Sequence, residues 1–81
     1  MQERRQELRK RALKTGRVVF NNRYSVMDCT VRNLSRRGAL LLVGETHALP
    51  DKFVLELDAG AVSHACKVIW RKERQLGVVF G

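Results

Sequence analysis

The sequence predicts an all-β fold: a six-stranded antiparallel barrel with a short basic N-terminal helix or arm. Three observations predict it. Apolar stretches recur about every ten residues from Gly16 to Phe80. Turn-forming residues separate them. The chain has 81 residues, room for one domain with a small core and little room for an enzyme cleft with walls, floor and lid.

Residues 2–14, QERRQELRKRALK, contain no Gly or Pro and almost no β-branched residue, so helix propensity is high throughout. Their apolar edge is thin (Leu8, Ala12 and Leu13), and the expected helix is marginal by itself. The division is therefore an arm over 1–14 and a barrel over 15–81. GRVVFN (16–21) reads as a short strand, with a tight turn at Asn22-Arg23. YSVMDCTVRNL (24–34) is a long strand and SRRG (35–38) a turn. ALLLV (39–43) is a strand, and GETHALPD (44–51) is a loop containing the single proline. KFVLELD (52–58) alternates cleanly, with Phe53, Leu55 and Leu57 on one face. After the turn AGA (59–61), SHACKVIWR (63–71) and QLGVVF (75–80) complete the six.

Alternation predicts a core of Val18, Phe20, Cys29, Val31, Ala39, Leu41 and Val43 from the first three strands. The last three add Phe53, Leu55, Leu57, Cys66, Val68, Trp70, Leu76, Val78 and Phe80. Leu40, Leu42, Val54, Ile69 and Val79 fall in the opposite phase and are expected to point outward. Two readings of that patch stand side by side: the N-terminal helix folds over it, or it pairs two copies as a homodimer.

The net charge is +8, and its distribution is uneven. Residues 1–37 hold eleven Lys or Arg against three acids, and the remainder holds five of each. An anionic partner met by one end of the chain follows. Catalysis does not: His47 lies in a loop, His64 in a strand, and no nucleophile setting or paired acids are visible. Cys29, His47, His64 and Cys66 lack the paired spacing of structural zinc sites, and both cysteines fall in the core phase. No cofactor or metal is expected. The longest apolar run, Ala39–Val43, is far short of a membrane span, and no apolar stretch follows the basic N-terminus as a secretory signal requires. A cytoplasmic location with reduced thiols is the expectation. A small nucleic-acid-binding barrel is an alternative, but four of the five aromatics fit the core, leaving only Tyr24 as a stacking platform.

Two short motifs sharpen the reading. Arg5-Gln-Glu-Leu-Arg9 is RxxxR, and Asn33-Leu-Ser35-Arg-Arg-Gly38 is NxSxxG at the second turn. Together with CTVRNLSRRGALL and the closing IWR…LGVVF, they make the chain resemble the PilZ family of cyclic di-GMP receptors over nearly its whole length. The resemblance implies a bacterial second-messenger receptor that changes conformation or partner on binding, without catalysis. Arginine suits such a ligand, because its planar fork pairs with phosphate or with guanine O6/N7 and its face stacks on a purine. The implied ligand residues are Arg5, Arg9, Asn33, Ser35 and Gly38. Gly38 is expected to supply an unusual backbone angle and close approach of the ligand. Arg4, directly before RxxxR, is similar to the pattern that goes with a stacked ligand dimer, so two ligands per domain are implied. A PilZ-like module that binds only protein, through the outward patch, is the other alternative.

Overall fold

A computed structural model describes residues 10–81. It contains six strands: β1 (Lys10–Phe20), β2 (Ser25–Leu34), β3 (Gly38–Val43), β4 (Lys52–Leu57), β5 (Val62–Lys72) and β6 (Gln75–Phe80). They close into an antiparallel barrel in the order β1-β2-β3-β6-β5-β4. Every strand has two neighbours, although Lys10–Thr15 of β1 pair with β2 alone and β4 joins β1 only from Gly16. The six predicted strands are all present. The predicted helix differs. Over Lys10–Lys14 the chain is strand β1, extending opposite the end of β2, because ladder pairing outweighs a propensity of a few tenths of a kcal/mol per residue. Residues 2–9 of that expectation lie outside the described residues.

The β1–β2 turn places Asn21, Asn22 and Arg23 in the left-handed region, at φ of 56°, 55° and 72°. Asparagine tolerates that region because its short side chain hydrogen-bonds locally. Here Asn21 Nδ2 donates to Ser25 Oγ, and the Tyr24 N–H donates to the Asn21 carbonyl. β5 and β6 are joined by a two-residue turn at Glu73-Arg74, with Glu73 at φ 55°.

The barrel interior follows the alternation. Val18, Val31, Leu41, Leu55 and Leu76 are fully buried, one from each of β1, β2, β3, β4 and β6, and Cys66 represents β5. Phe20, Ala39, Val68 and Phe80, predicted core residues, are half-buried at its margins. Trp70 is a correction: it lies outside, 43% exposed, for a reason given below. Leu49 is a core residue that alternation does not find. It enters from the loop after β3 and is 3% exposed. Arg71 holds that loop by donating to the Thr46 and Leu49 carbonyls and to the Asp51 carboxylate, and Thr46 Oγ1 donates to the Glu73 carbonyl.

Both cysteines are free and buried. Burial pushes the Cys29 thiol up to about 11, with Asp28 adding to the shift. Burial pushes Cys66 up to about 12, and its thiol donates to the His64 carbonyl. The His64 ring is half-buried and stacks on Phe80, with centroids 4.1 Å apart. Among the described residues, no helix is long and apolar enough to cross a membrane.

Candidate functional site

The site is built from three interruptions of otherwise regular pairing. In β2, Val31 faces Leu41 but Asn33 faces Leu40, so Arg32 is an extra residue. In β5, Val68 faces Val78 but Trp70 faces Gly77, so Ile69 is extra. In β1 the register against β2 shifts between Arg11 and Lys14. A bulge switches the face to which the following residue points. Without the first, strict alternation would send Asn33 into the barrel; without the second, it would send Trp70 there. Both emerge on the outer surface instead.

The three interruptions meet on one cross-strand row. Arg11 pairs with Asn33, Asn33 with Leu40, Leu40 with Gly77, and Gly77 with Trp70. Gly77 is needed there. A Cβ at this position would overlap the Trp70 indole nitrogen, so the indole lies directly across the glycine. The result is a cleft of about 320 Å³ lined by Asn33, Ser35, Arg37, Gly38, Trp70 and Gly77, with Leu40, Ile69 and Val79 as apolar walls. That size is at the lower end for small-molecule sites.

The turn beside it is internally braced. The Ser35 N–H donates to the Gly38 carbonyl at 2.9 Å. The Ser35 hydroxyl donates to the same carbonyl and accepts from the Arg37 and Gly38 N–H groups at 3.2 and 3.3 Å. Ser35 therefore shapes the turn that carries Arg37 into the cleft. The expectation for Gly38 is corrected. Its backbone angle is not left-handed; the glycine with positive φ is Gly60. What requires glycine at 38 is packing, since a Cβ would overlap the carbonyl oxygen of Val78 on β6.

The structure thus brings together Asn33, Ser35 and Gly38 of the sequence-derived site. Arg4, Arg5 and Arg9 lie outside the described residues. Their point of attachment is described: β1 begins at Lys10, paired with Leu34 on the rim of the cleft. Arg37 and Trp70 are among the lining residues that escape the sequence reading. Arg37 sits in the variable part of NxSxxG. Trp70 breaks an alternating strand as the third consecutive apolar residue in Val68-Ile69-Trp70, and such a run signals a bulge. Tyr24, the platform candidate, is 87% exposed but is not part of the cleft.

The outward patch does not form one face. Leu40, Ile69 and Val79 wall the cleft, Val54 lies in a neighbouring groove that shares Val79, and Leu42 faces the loop after β3. Of the five, Ile69 is exposed and the others are half-buried.

Chemically, the cleft offers an indole face, a side-chain amide and a guanidinium. Its described lining includes no His, Cys, Asp or Glu to move a proton. Among the described residues, no three such side chains are grouped to hold a metal ion. The chemistry of these groups matches a flat, anionic or hydrogen-bonding ligand.

The family model for the PilZ domain matches residues 3–81. The chain belongs to the PilZ domain family. PilZ domains are cyclic di-GMP-binding receptor domains rather than enzymes, and the match spans both the barrel and the RxxxR segment. No curated protein and no solved structure matches the chain.

Proposed function

We propose that this PilZ domain is a bacterial, cytoplasmic receptor for cyclic di-GMP, bound in the cleft between the NxSxxG turn and Trp70. The observation that carries the reading is convergence. Asn33 at the end of β2, Arg37 in the turn that follows it and Trp70 on β5 reach one cleft, and β1, which the arginine-bearing N-terminal segment precedes in the chain, begins at its rim. Arg9 is one Cα step, about 3.8 Å, from Lys10, and Arg5 is within about 18 Å of it on an extended chain.

In this reading a guanine stacks on the Trp70 indole, and Asn33 offers both donor and acceptor to a base edge. Arg5 and Arg9 take the phosphates and the exposed guanine face, with Arg4 serving a second, stacked ligand. Ser35 and Gly38 act by holding the turn. Capture draws the N-terminal segment across the cleft and changes the surface beside it, which is how a domain without catalysis reports binding.

Calorimetric titration with cyclic di-GMP tests this, with the fluorescence of the single tryptophan as a second readout. The expected result is saturable binding with a stoichiometry of two and a change in Trp70 emission. Arg5→Ala and Arg9→Ala should each weaken binding by about 10- to 100-fold, the worth of a charge-assisted hydrogen bond, and leave the melting temperature unchanged. Absence of binding, or parental binding by both variants, overturns the proposal and leaves a PilZ-like module that binds only protein.

A further inference from the structure

A second groove, of about 550 Å³, lies beside the cleft and shares Val79 with it. Its floor is aliphatic. Val19, Val54 and Ala65 pair in one row across β1, β4 and β5, in which Val19 is buried at 6% exposure, Val54 is half-buried and Ala65 is exposed, and Val26, 54% exposed, extends the row onto β2. Four neighbouring strands span about 14 Å at normal strand spacing, a width matched by about three turns of an α-helix. Such a row is a surface on which an amphipathic segment can lie.

The rim is cationic in an unusual way. Lys52 and Lys67 are directly opposite each other on β4 and β5, and both are exposed. Like charges placed opposite each other destabilise a sheet. Nothing among the described residues relieves them. Asp51 is held by Arg71 at 2.8 Å, and Glu56 is shared by Arg17 and Arg23 at 3.3 and 3.4 Å. The nearby acids are satisfied, and the two lysines have no ion-pair partner among the described residues.

We propose that this groove docks an acidic, amphipathic segment of a partner protein, with aliphatic side chains on the Val19–Val54–Ala65 row and carboxylates against Lys52 and Lys67. The charge selects the partner. A second copy of the chain would bring its own lysine pair to the same face, because a two-fold interface uses the same patch on both sides. Nucleic acid lacks a stacking surface here, since Phe20 and Phe53, the aromatics at this groove, belong to the inward phase of their strands and pack against the core. The inference rests on the barrel face alone and does not depend on the ligand reading.

The test is selection of random displayed peptides on the full chain, followed by fluorescence anisotropy with a selected, labelled peptide. Expected are sequences rich in Asp or Glu interleaved with aliphatic residues. The double variant Lys52→Glu/Lys67→Glu should weaken their binding by about tenfold, as the loss of two exposed ion pairs implies. Lys72→Glu, an exposed lysine elsewhere on β5, should leave it unchanged, and a peptide with its acids replaced by Lys should prefer the double variant. Cyclic di-GMP titration of the double variant should match the parent, so failure here is separable from failure of the receptor reading. Any of four outcomes overturns the proposal: no enrichment of acidic peptides; binding indifferent to charge reversal; a dimer in sedimentation that Val54→Asp breaks; or single-stranded oligonucleotide binding lost in the double variant.

Discussion

The barrel interior and the cleft on its outer face are made by opposite uses of the same strands. Inside, period-two alternation runs unbroken through Val18, Cys29, Leu41, Leu55 and Leu76, and the buried side chains close the core. At the cleft the alternation fails in β2 and in β5, and both failures serve the surface: Asn33 and Trp70 reach solvent because Arg32 and Ile69 are extra residues. The interior therefore carries stability, and the irregular row carries recognition. Glycine marks the border. Gly38 lets β3 approach β6, and Gly77 lets the indole lie flat, and neither needs a left-handed backbone.

The sharpest way to break this division is Gly38→Ala. Its Cβ would meet a backbone carbonyl, which cannot move without parting β3 from β6. A loss above about 4 kcal/mol, the range reserved for severe core damage, is expected in chemical denaturation. A melting curve like the parent's would show that the two strands separate easily and that the glycine serves only the ligand.

Gly77→Ala is the complementary change and should be milder. The new methyl meets the indole of Trp70, a side chain that can swing away. Stability should fall by about 1–3 kcal/mol, as for overpacking, while tryptophan emission shifts as the ring leaves the cleft. Cyclic di-GMP affinity should fall with it. Unchanged emission would mean that the ring does not rest on the glycine.

The last effect belongs to the interior, is absent at neutral pH and appears only at high pH. Cys29 and Cys66 ionise at about 11 and about 12 in the barrel, against 9.0 for a free thiol. The folded protein therefore holds protons that the unfolded chain releases. The contribution is complete below pH 9 and is lost as pH rises towards 11 to 12. Denaturation midpoints should decline over that window, and Cys29→Ser/Cys66→Ser should flatten the decline. A parental slope in the double variant would assign the alkaline loss to other groups.

How much was legible divides along the same line. Six strands, their turns and most of the core follow from apolar spacing alone, because a buried face must repeat every second residue. The NxSxxG turn is legible as a motif, but the reasons for its serine and glycine are not. Ser35 spends its hydroxyl on the turn and Gly38 faces Val78, and both depend on a strand about 40 residues away in the chain or on local bonds invisible in a pattern. Leu49 is hidden by its polar, proline-bearing loop and becomes core only because Arg71 ties that loop down. The helix expected to run to Lys14 reflects a local propensity that pairing with β2 overrides from Lys10 onward.

By itself, the sequence determined an all-β barrel, its polarity, and a charge excess bounded by RxxxR at one end and NLSRRG at the other. Those properties are local or periodic, so the residues state them directly. Only the tertiary structure decided which residues share the cleft, that Trp70 faces out, and that Lys52 stands opposite Lys67. Each depends on register, and a one-residue shift between strands turns a side chain from core to surface without changing a letter of the sequence.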